Sequence, residues 1–272
     1  MLKLAVIGKD VSKSLSPKMH DFILSRMGLA CSYVKISLSQ EELIKRADEL
    51  FASYDGFNVT IPHKQTILPF LQECVGDAKV FGAVNTVVAA TRTGYNTDGT
   101  GFLTMLEDAE ISVKNRRALV LGAGGAGRSC IYALHTAGAE VTAYERDGER
   151  LRAVHSDFNG FTPKEKLTDF DFDLIVNCTG IGMHDTVGQT PFVPDEKGRD
   201  CLKRLIENAR AVVDLIYEPK ESALLRLAKE MGKRTLNGEA MLFYQAYAAD
   251  CIFTGRERDM KQAKELWREY DT

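Results

Sequence analysis

Six cysteines, Cys31, Cys74, Cys130, Cys178, Cys201 and Cys251, are scattered along this chain, and no two form a Cys-x-x-Cys pair. The absence of such pairs argues against a zinc ribbon or a disulfide framework and fits free thiols in a reducing cytoplasm. The five histidines lack a His-Glu-x-x-His or comparable ligand spacing, so no metal site is expected. No apolar run is long enough to cross a bilayer. A formal net charge of −3 gives no reason to expect nucleic acid or an anionic membrane as partner. The opening Met1-Leu2-Lys3-Leu4-Ala5-Val6-Ile7-Gly8 is too short for a signal peptide, lacks a cleavage site and reads as a first strand. Internal repeats and low-complexity segments are missing as well. What remains is 272 residues, 44% hydrophobic and 27% charged, with room for one large or two modest globular domains.

The densest stretch that is present runs Ala118-Leu119-Val120-Leu121-Gly122-Ala123-Gly124-Gly125-Ala126-Gly127. Four apolar residues read as a buried parallel strand and lead into Gly-x-Gly-x-x-Gly. Ile131 and Leu134 then recur at helical spacing up to Gly138. Strand, glycine turn and helix in that order suit a dinucleotide pyrophosphate. Gly122 makes the turn, Gly124 lets the backbone approach the phosphates, and Gly127 lets the helix pack against the strand. A second strand, Val141 to Tyr144, ends on Glu145, 23 residues after Gly122, near the spacing for a carboxylate on the adenosine ribose.

Ahead of that stretch the chain reads β-α-β-α. Ser16 is placed as an N-cap with Pro17 at the first helical position, while Ser14 has no evident structural task. Val34, Ile36 and Leu38 alternate as in a strand, and Ser39 with Glu42 forms a capping-box pattern. In Gly56 to Lys64 a short strand ends on polar Asn58 and Thr60, then Pro62 opens a helix. That puts the Lys64 cation at a helix start, against the macrodipole, which favours a functional reason for it. Asn85 enters another strand, and Asp98 sits in a polar, glycine-containing loop where it could cap the helix carrying Phe102, Met105 and Leu106. β-α repeats continue through Leu174–Val176 and Val212–Ile216, with a last strand near Thr235. Thr179 to Cys201 reads as a polar loop. Helices follow from Asn237 to about Thr254 and from Asp259 onward, and a boundary falls near residues 101–117.

Taken together, Ser14-x-Ser16-Pro17, Asn58-Val59-Thr60-x-Pro62-x-Lys64, Gly82-Ala83-x-Asn85-Thr86 and Asn96-Thr97-Asp98-Gly99 resemble the shikimate dehydrogenase family. So do Asn177-x-Thr179-x-x-Gly182-Met183, Asp214-x-x-Tyr217-x-Pro219 and Asn237-Gly238-x-x-Met241-Leu242-x-x-Gln245. The resemblance implies an α/β fold: an N-terminal substrate domain, residues 1–101 completed by helices of 238–272, and a Rossmann dinucleotide domain over 102–237. It implies reversible reduction of 3-dehydroshikimate to shikimate with Lys64 and Asp98 as the catalytic pair. Ser14, Ser16, Asn58, Thr60, Asn85, Tyr217 and Gln245 would meet the substrate. Gly122, Ala123, Gly124, Gly125, Ala126, Gly127, Glu145, Arg146, Thr179, Gly182, Met183, Gly238 and Met241 would meet the cofactor. NADP is the family default, yet Glu145-Arg146-Asp147 stands where NADP-using members usually carry Asn-Arg-Thr, and Glu145 alone points to NAD. Lys13 replaces a common histidine, Lys9-Asp10 replaces the usual start of that loop, and Gly180 replaces a common serine. An NAD-dependent quinate/shikimate paralogue and a non-catalytic ligand sensor are the alternatives. A cytoplasmic monomer or homodimer working on small molecules is expected.

Overall fold

The computed structural model describes residues 1–192 and 196–271 and divides into two units, Met1–Thr104 with Leu242–Thr272, and Met105–Met241. The first unit holds β1 (Leu2–Gly8), α1 (Ser16–Arg26), β2 (Cys31–Ser37), α2 (Gln40–Ser53), β3 (Gly56–Val59), β4 (Glu73–Cys74), α3 (Asp77–Phe81), β5 (Thr86–Val88) and β6 (Thr93–Tyr95). Its six-stranded sheet runs β2-β1-β3-β5-β6-β4. β1 is parallel to β2 on one side and β3 on the other, because helical crossovers return the chain to the same end of the sheet. β5 is antiparallel to β3 and β6, since the four residues between β5 and β6 allow only a hairpin. The sheet is therefore mixed. β1 is buried continuously from Leu4 to Gly8, as a strand covered on both faces must be.

The second unit holds β7 (Arg117–Leu121), α5 (Gly125–Thr136), β8 (Glu140–Tyr144), α6 (Gly148–Asp157), β9 (Thr162–Lys164), β10 (Leu174–Asn177), α7 (Glu196–Asn208), β11 (Ala211–Asp214), α8 (Ala223–Glu230) and β12 (Arg234–Leu236). Its six strands are all parallel, in the order β12-β11-β10-β7-β8-β9. The chain winds outward from β7 to β9, returns to β10 beside β7, and winds outward again. That reversal opens a crevice at the carboxyl ends of β7 and β10. The cuts between units fall inside α4 (Asp98–Asp108) and α9 (Glu239–Thr254). α10 (Met260–Tyr270) belongs to the first unit, where Phe243 packs on Trp267 and Tyr270 with ring centroids 5.3 and 5.2 Å apart. Among the described residues no helix is long and apolar enough to cross a membrane, and no cluster could hold a metal ion.

Three local expectations are corrected. Ser16 does not cap α1; it is already helical, and no side chain caps that end. Ser14 does the nearer work instead, its hydroxyl accepting the Ser16 N–H at 3.2 Å. Pro62 opens no α-helix: residues 61–67 form turns, and a short 3₁₀ segment follows at Leu68–Phe70. The Lys64 carbonyl, which a helix would need, accepts Val84 N–H at 2.9 Å instead. The macrodipole argument for Lys64 therefore lapses. The expected loop from Thr179 to Cys201 is interrupted by α7, whose Leu202, Leu205 and Ile206 recur at helical spacing and are buried. Residues 193–195 of that loop lie outside the described residues.

Candidate active site

In the first unit the sequence-predicted polar residues converge at the carboxyl ends of β1 and β3, the amino end of α4, and the first-unit part of α9. Lys64 Nζ donates to Asp98 Oδ2 at 2.5 Å, with side chains 18% and 8% exposed. Asp98 is free to make this contact because it does not cap its own helix. The Asn96 side-chain oxygen accepts the Asp98 N–H at 3.0 Å instead. Asn85, 3% exposed, is the hub. Its Nδ2 donates to Asp98 Oδ1 at 2.7 Å and to Gln245 Oε1 at 2.9 Å, with Thr97 Oγ1 also 3.0 Å away. Its Oδ1 accepts the Thr97 N–H and the Thr86 hydroxyl, both at 2.9 Å. With both faces of the Asn85 amide engaged, Asp98 and Gln245 are held in fixed orientations. Because Gln245 spends its oxygen on Asn85, it has its Nε2 donors to offer a ligand.

A second arm of the same network runs through a residue that sequence reasoning missed. The Tyr33 hydroxyl donates to Asn58 Oδ1 at 2.8 Å and receives a bond from the Ser16 side chain. Ser14 Oγ donates to Ser16 Oγ at 3.1 Å. Asn58 Nδ2 in turn donates to the Asn85 carbonyl and to Thr86 Oγ1, both at 3.1 Å. With both amide protons committed, Asn58 can meet a ligand only as an acceptor. The donors thus run in one direction, from Ser14 through Ser16, Tyr33 and Asn58 toward Asn85 and Asp98. Thr60 is tied in through its backbone, its N–H donating to Ile7 O at 2.9 Å. In the sequence Tyr33 stands just ahead of the alternating Val34, Ile36 and Leu38, with nothing else to mark it.

In the second unit, Gly122 has φ +92° at the end of β7 and Gly124 is the N-cap of α5, with no side chain capping that end. A Cβ on Gly127 would lie 2.0 Å from the Gly122 carbonyl oxygen, so this close approach requires glycine. Gly122, Gly124, Tyr144, Glu145, Arg146, Arg150, Cys178 and Thr179 are among the residues around a cleft of about 310 Å³. Glu145 turns toward the glycine loop: its carboxylate accepts the N–H groups of Ala123 and Asp147, each at 3.1 Å, and Arg150 Nη1 stands 3.4 Å away. Burial works to raise this carboxyl, but the Asp147 and Ala123 N–H bonds and the Arg150 charge together hold it below the ordinary glutamate value. Asp147 caps α6, accepting from Glu149 and Arg150 N–H at 3.1 Å each, so its charge is spent on a helix end.

The loop after β10 is fixed from below. Asn177, fully buried, donates to Asp214 Oδ1 at 3.0 Å and accepts from the Thr179 N–H and hydroxyl at 3.1 and 2.7 Å. Burial raises the Asp214 carboxyl, against bonds from Ser222, the Ile216 N–H and Asn177. Gly182 N–H donates to Thr186 Oγ1 at 2.9 Å; Met183 follows, half-buried. A Cβ on Gly238 would lie 2.0 Å from the Leu215 carbonyl oxygen, while Met241 is 8% exposed. Half-buried Tyr217 follows β11, its phenol pushed up by burial and by Glu218. Ala126 and Gly125 lie in the first turn of α5.

A parallel sheet with a glycine-lined switch point, joined in one chain to a unit carrying a lysine–aspartate pair in an amide and hydroxyl network, has the make-up of a dinucleotide-dependent oxidoreductase acting on a CH–OH group. Comparison with known proteins narrows the class. Residues 6–87 match the model of the shikimate dehydrogenase substrate binding domain. The shikimate dehydrogenase (NADP(+)) of Caldicellulosiruptor saccharolyticus is 37% identical over 265 residues, covering 93% of this chain and 92% of that protein. The solved shikimate 5-dehydrogenase of Thermus thermophilus, in complex with NADP(H) and shikimate, superposes with a TM-score of 0.86 at 36% identity, covering 99% of each chain. That of Listeria monocytogenes, in complex with shikimate and NAD, gives 0.83 at 27% identity, covering 98% of this chain and 96% of that one. The chain belongs to the shikimate dehydrogenase family.

Proposed function

We propose that this protein catalyses the reversible reduction of 3-dehydroshikimate to shikimate, a step toward chorismate and the aromatic amino acids, with NADP as the favoured cofactor. The observation that carries this reading is the Lys64–Asp98 pair, 2.5 Å apart and held on its second carboxylate oxygen by Asn85. A nicotinamide dinucleotide fits the second unit, where Gly127 packs against the Gly122 carbonyl and the start of α5 has no side-chain cap. When bound, it supplies hydride exchange. Gly122 to Gly127 would hold its pyrophosphate, Glu145 and Arg146 its adenosine ribose, and Thr179, Gly182, Met183, Gly238 and Met241 the remainder.

The protein's own residues handle orientation and one proton. In the reductive direction the Lys64 ammonium hydrogen-bonds the substrate carbonyl, stabilises negative charge developing on its oxygen and delivers the proton there. Asp98 fixes the direction of that ammonium. Gln245 donates to a substrate hydroxyl and Asn58 accepts from one; Ser14 and Ser16, whose hydroxyl protons rest on Ser16 and Tyr33, turn them to the substrate carboxylate as it binds, and Thr60 and Tyr217 complete the set. We place this activity in the cytoplasm, in a monomer or homodimer.

Steady-state rates with shikimate and quinate, each with NADP and NAD, test the reading. Turnover of shikimate with NADP is expected to be fastest. Preference for quinate with NAD would assign the paralogue instead, and inertness on both would leave a ligand sensor.

A further inference from the structure

Behind Tyr33 lies a pair of buried ionisable groups that the chemistry above does not use. His20, on α1, and Asp250, on α9, are 1% and 0% exposed. His20 Nδ1 stands 2.6 Å from Asp250 Oδ1, while Asp250 Oδ2 has no hydrogen-bond partner. The imidazole stacks on the Tyr33 ring, with centroids 4.5 Å apart and planes 14° from parallel, and Phe253 closes on it at 6.3 Å. Burial raises the Asp250 carboxyl against the pull of His20. It also raises the Tyr33 phenol, with Asp250 adding to that shift, and Cys31 is pushed up to about 11 by burial and the charges of Asp21 and Asp250.

A half-satisfied carboxyl group inside a helical core is a poor stabilising element, since apolar residues of similar volume often serve as well or better. What the pair provides is direction. The bond to Asp250 fixes the plane of the imidazole, and that plane sets the face on which Tyr33 lies. Tyr33 then reaches Asn58 and Ser16.

We propose that Asp250 and His20 are positioning residues for substrate recognition, acting through the Tyr33 ring to hold Asn58 and Ser16 in the orientation that receives the substrate's hydroxyl and carboxylate. This rests on the proposed substrate assignment. Asp250→Ala leaves the imidazole free to turn, whereas Asp250→Asn keeps an oxygen that can accept the Nδ1–H. Tyr33→Phe keeps the stack and removes the hydroxyl, and so tests the same link should Asp250→Ala fail to fold.

The experiment measures kcat, KM for shikimate, KM for NADP and a thermal melt for the wild type and the three variants. Asp250→Ala and Tyr33→Phe should raise KM for shikimate about fivefold or more, the loss of roughly one well-directed hydrogen bond. KM for NADP should stay unchanged, and Asp250→Asn should recover KM for shikimate even where its melt stays lowered. A structural pair alone would lower the melts without moving KM. Unchanged KM for shikimate in Tyr33→Phe and in any folded Asp250→Ala, or equal impairment of the two Asp250 variants, overturns the inference while leaving the substrate assignment intact. A wild type inert on shikimate removes that assignment and the inference with it.

Discussion

On the proposed reading, the choice between NADP and NAD turns on Glu145. Its carboxylate lies on the glycine loop, bonded to the Ala123 and Asp147 N–H groups, with an environment that favours its charged form. A ribose 2′-hydroxyl can donate to such a group; a 2′-phosphate is repelled by it. For unit charges about 5 Å apart, repulsion is roughly 3 kcal/mol at an effective dielectric near 20. Arg150, 3.4 Å from the carboxylate, offsets part of this, and solvent at the cleft mouth screens more. A net penalty of about 1–2 kcal/mol corresponds to roughly 5- to 30-fold in the NADP to NAD ratio. Glu145→Asn should raise kcat/KM for NADP relative to NAD by that factor, and Glu145→Gln, which keeps the side-chain length, should follow it. Arg150→Ala should move the ratio the other way, because the carboxylate loses its counter-ion. The assay is kcat/KM for each cofactor at saturating shikimate and low salt. A ratio that stays fixed in all three variants would refute the electrostatic argument.

Lys64→Ala should lower kcat by about 10²- to 10⁴-fold while the melting temperature holds, and turnover within about threefold of wild type would remove the lysine from the chemistry. Gln245→Ala and Ser14→Ala should each weaken shikimate binding by roughly 5- to 150-fold, read by calorimetric titration with oxidised cofactor present. Gly127→Ala should lower both the melting temperature and cofactor affinity, because the new methyl meets the Gly122 carbonyl. Gly124 faces open space, so Gly124→Ala should hold the melting temperature while cofactor affinity falls in an equilibrium titration.

The alternation of apolar runs and glycine stops was legible because strands covered on both faces must be apolar and because helices need defined ends. Asn85, Asp98 and Gln245 could be named from motifs, but their shared amide network joins positions 160 residues apart and has no local signature. The capping role expected of Ser16 is filled by no side chain, because the backbone turns helical one residue earlier than Pro17 suggests and Leu15 takes the cap position. Lys64 read as a helix start because Pro62 is a good first residue for one. What diverts it is the Val84 N–H taking its carbonyl, a tertiary bond. α7 was hidden by its charges, which dilute a three-residue apolar stripe. His20, Tyr33 and Asp250 come together only through the fold, and each looked ordinary where it stood.

The first unit is discontinuous in the chain, and this has a consequence for the order of folding. Gly56 must stay bare because the Phe253 ring lies 2.5 Å from where its Cβ would be, and Asn85 finds an acceptor in Gln245. Both partners arrive from α9, after the whole of the second unit has been synthesised. A ribosome extending this chain therefore releases the β7-to-β12 sheet in full before the Lys64, Asp98 and Asn85 cluster has all its partners. The early strands must persist half-finished, with the Phe253 seat open and Asn85 short of one acceptor, until the last helices emerge. Under the proposed substrate assignment, recognition waits on α9, so a chain cut short after β12 carries Lys64 and Asp98 without Gln245 or Asp250.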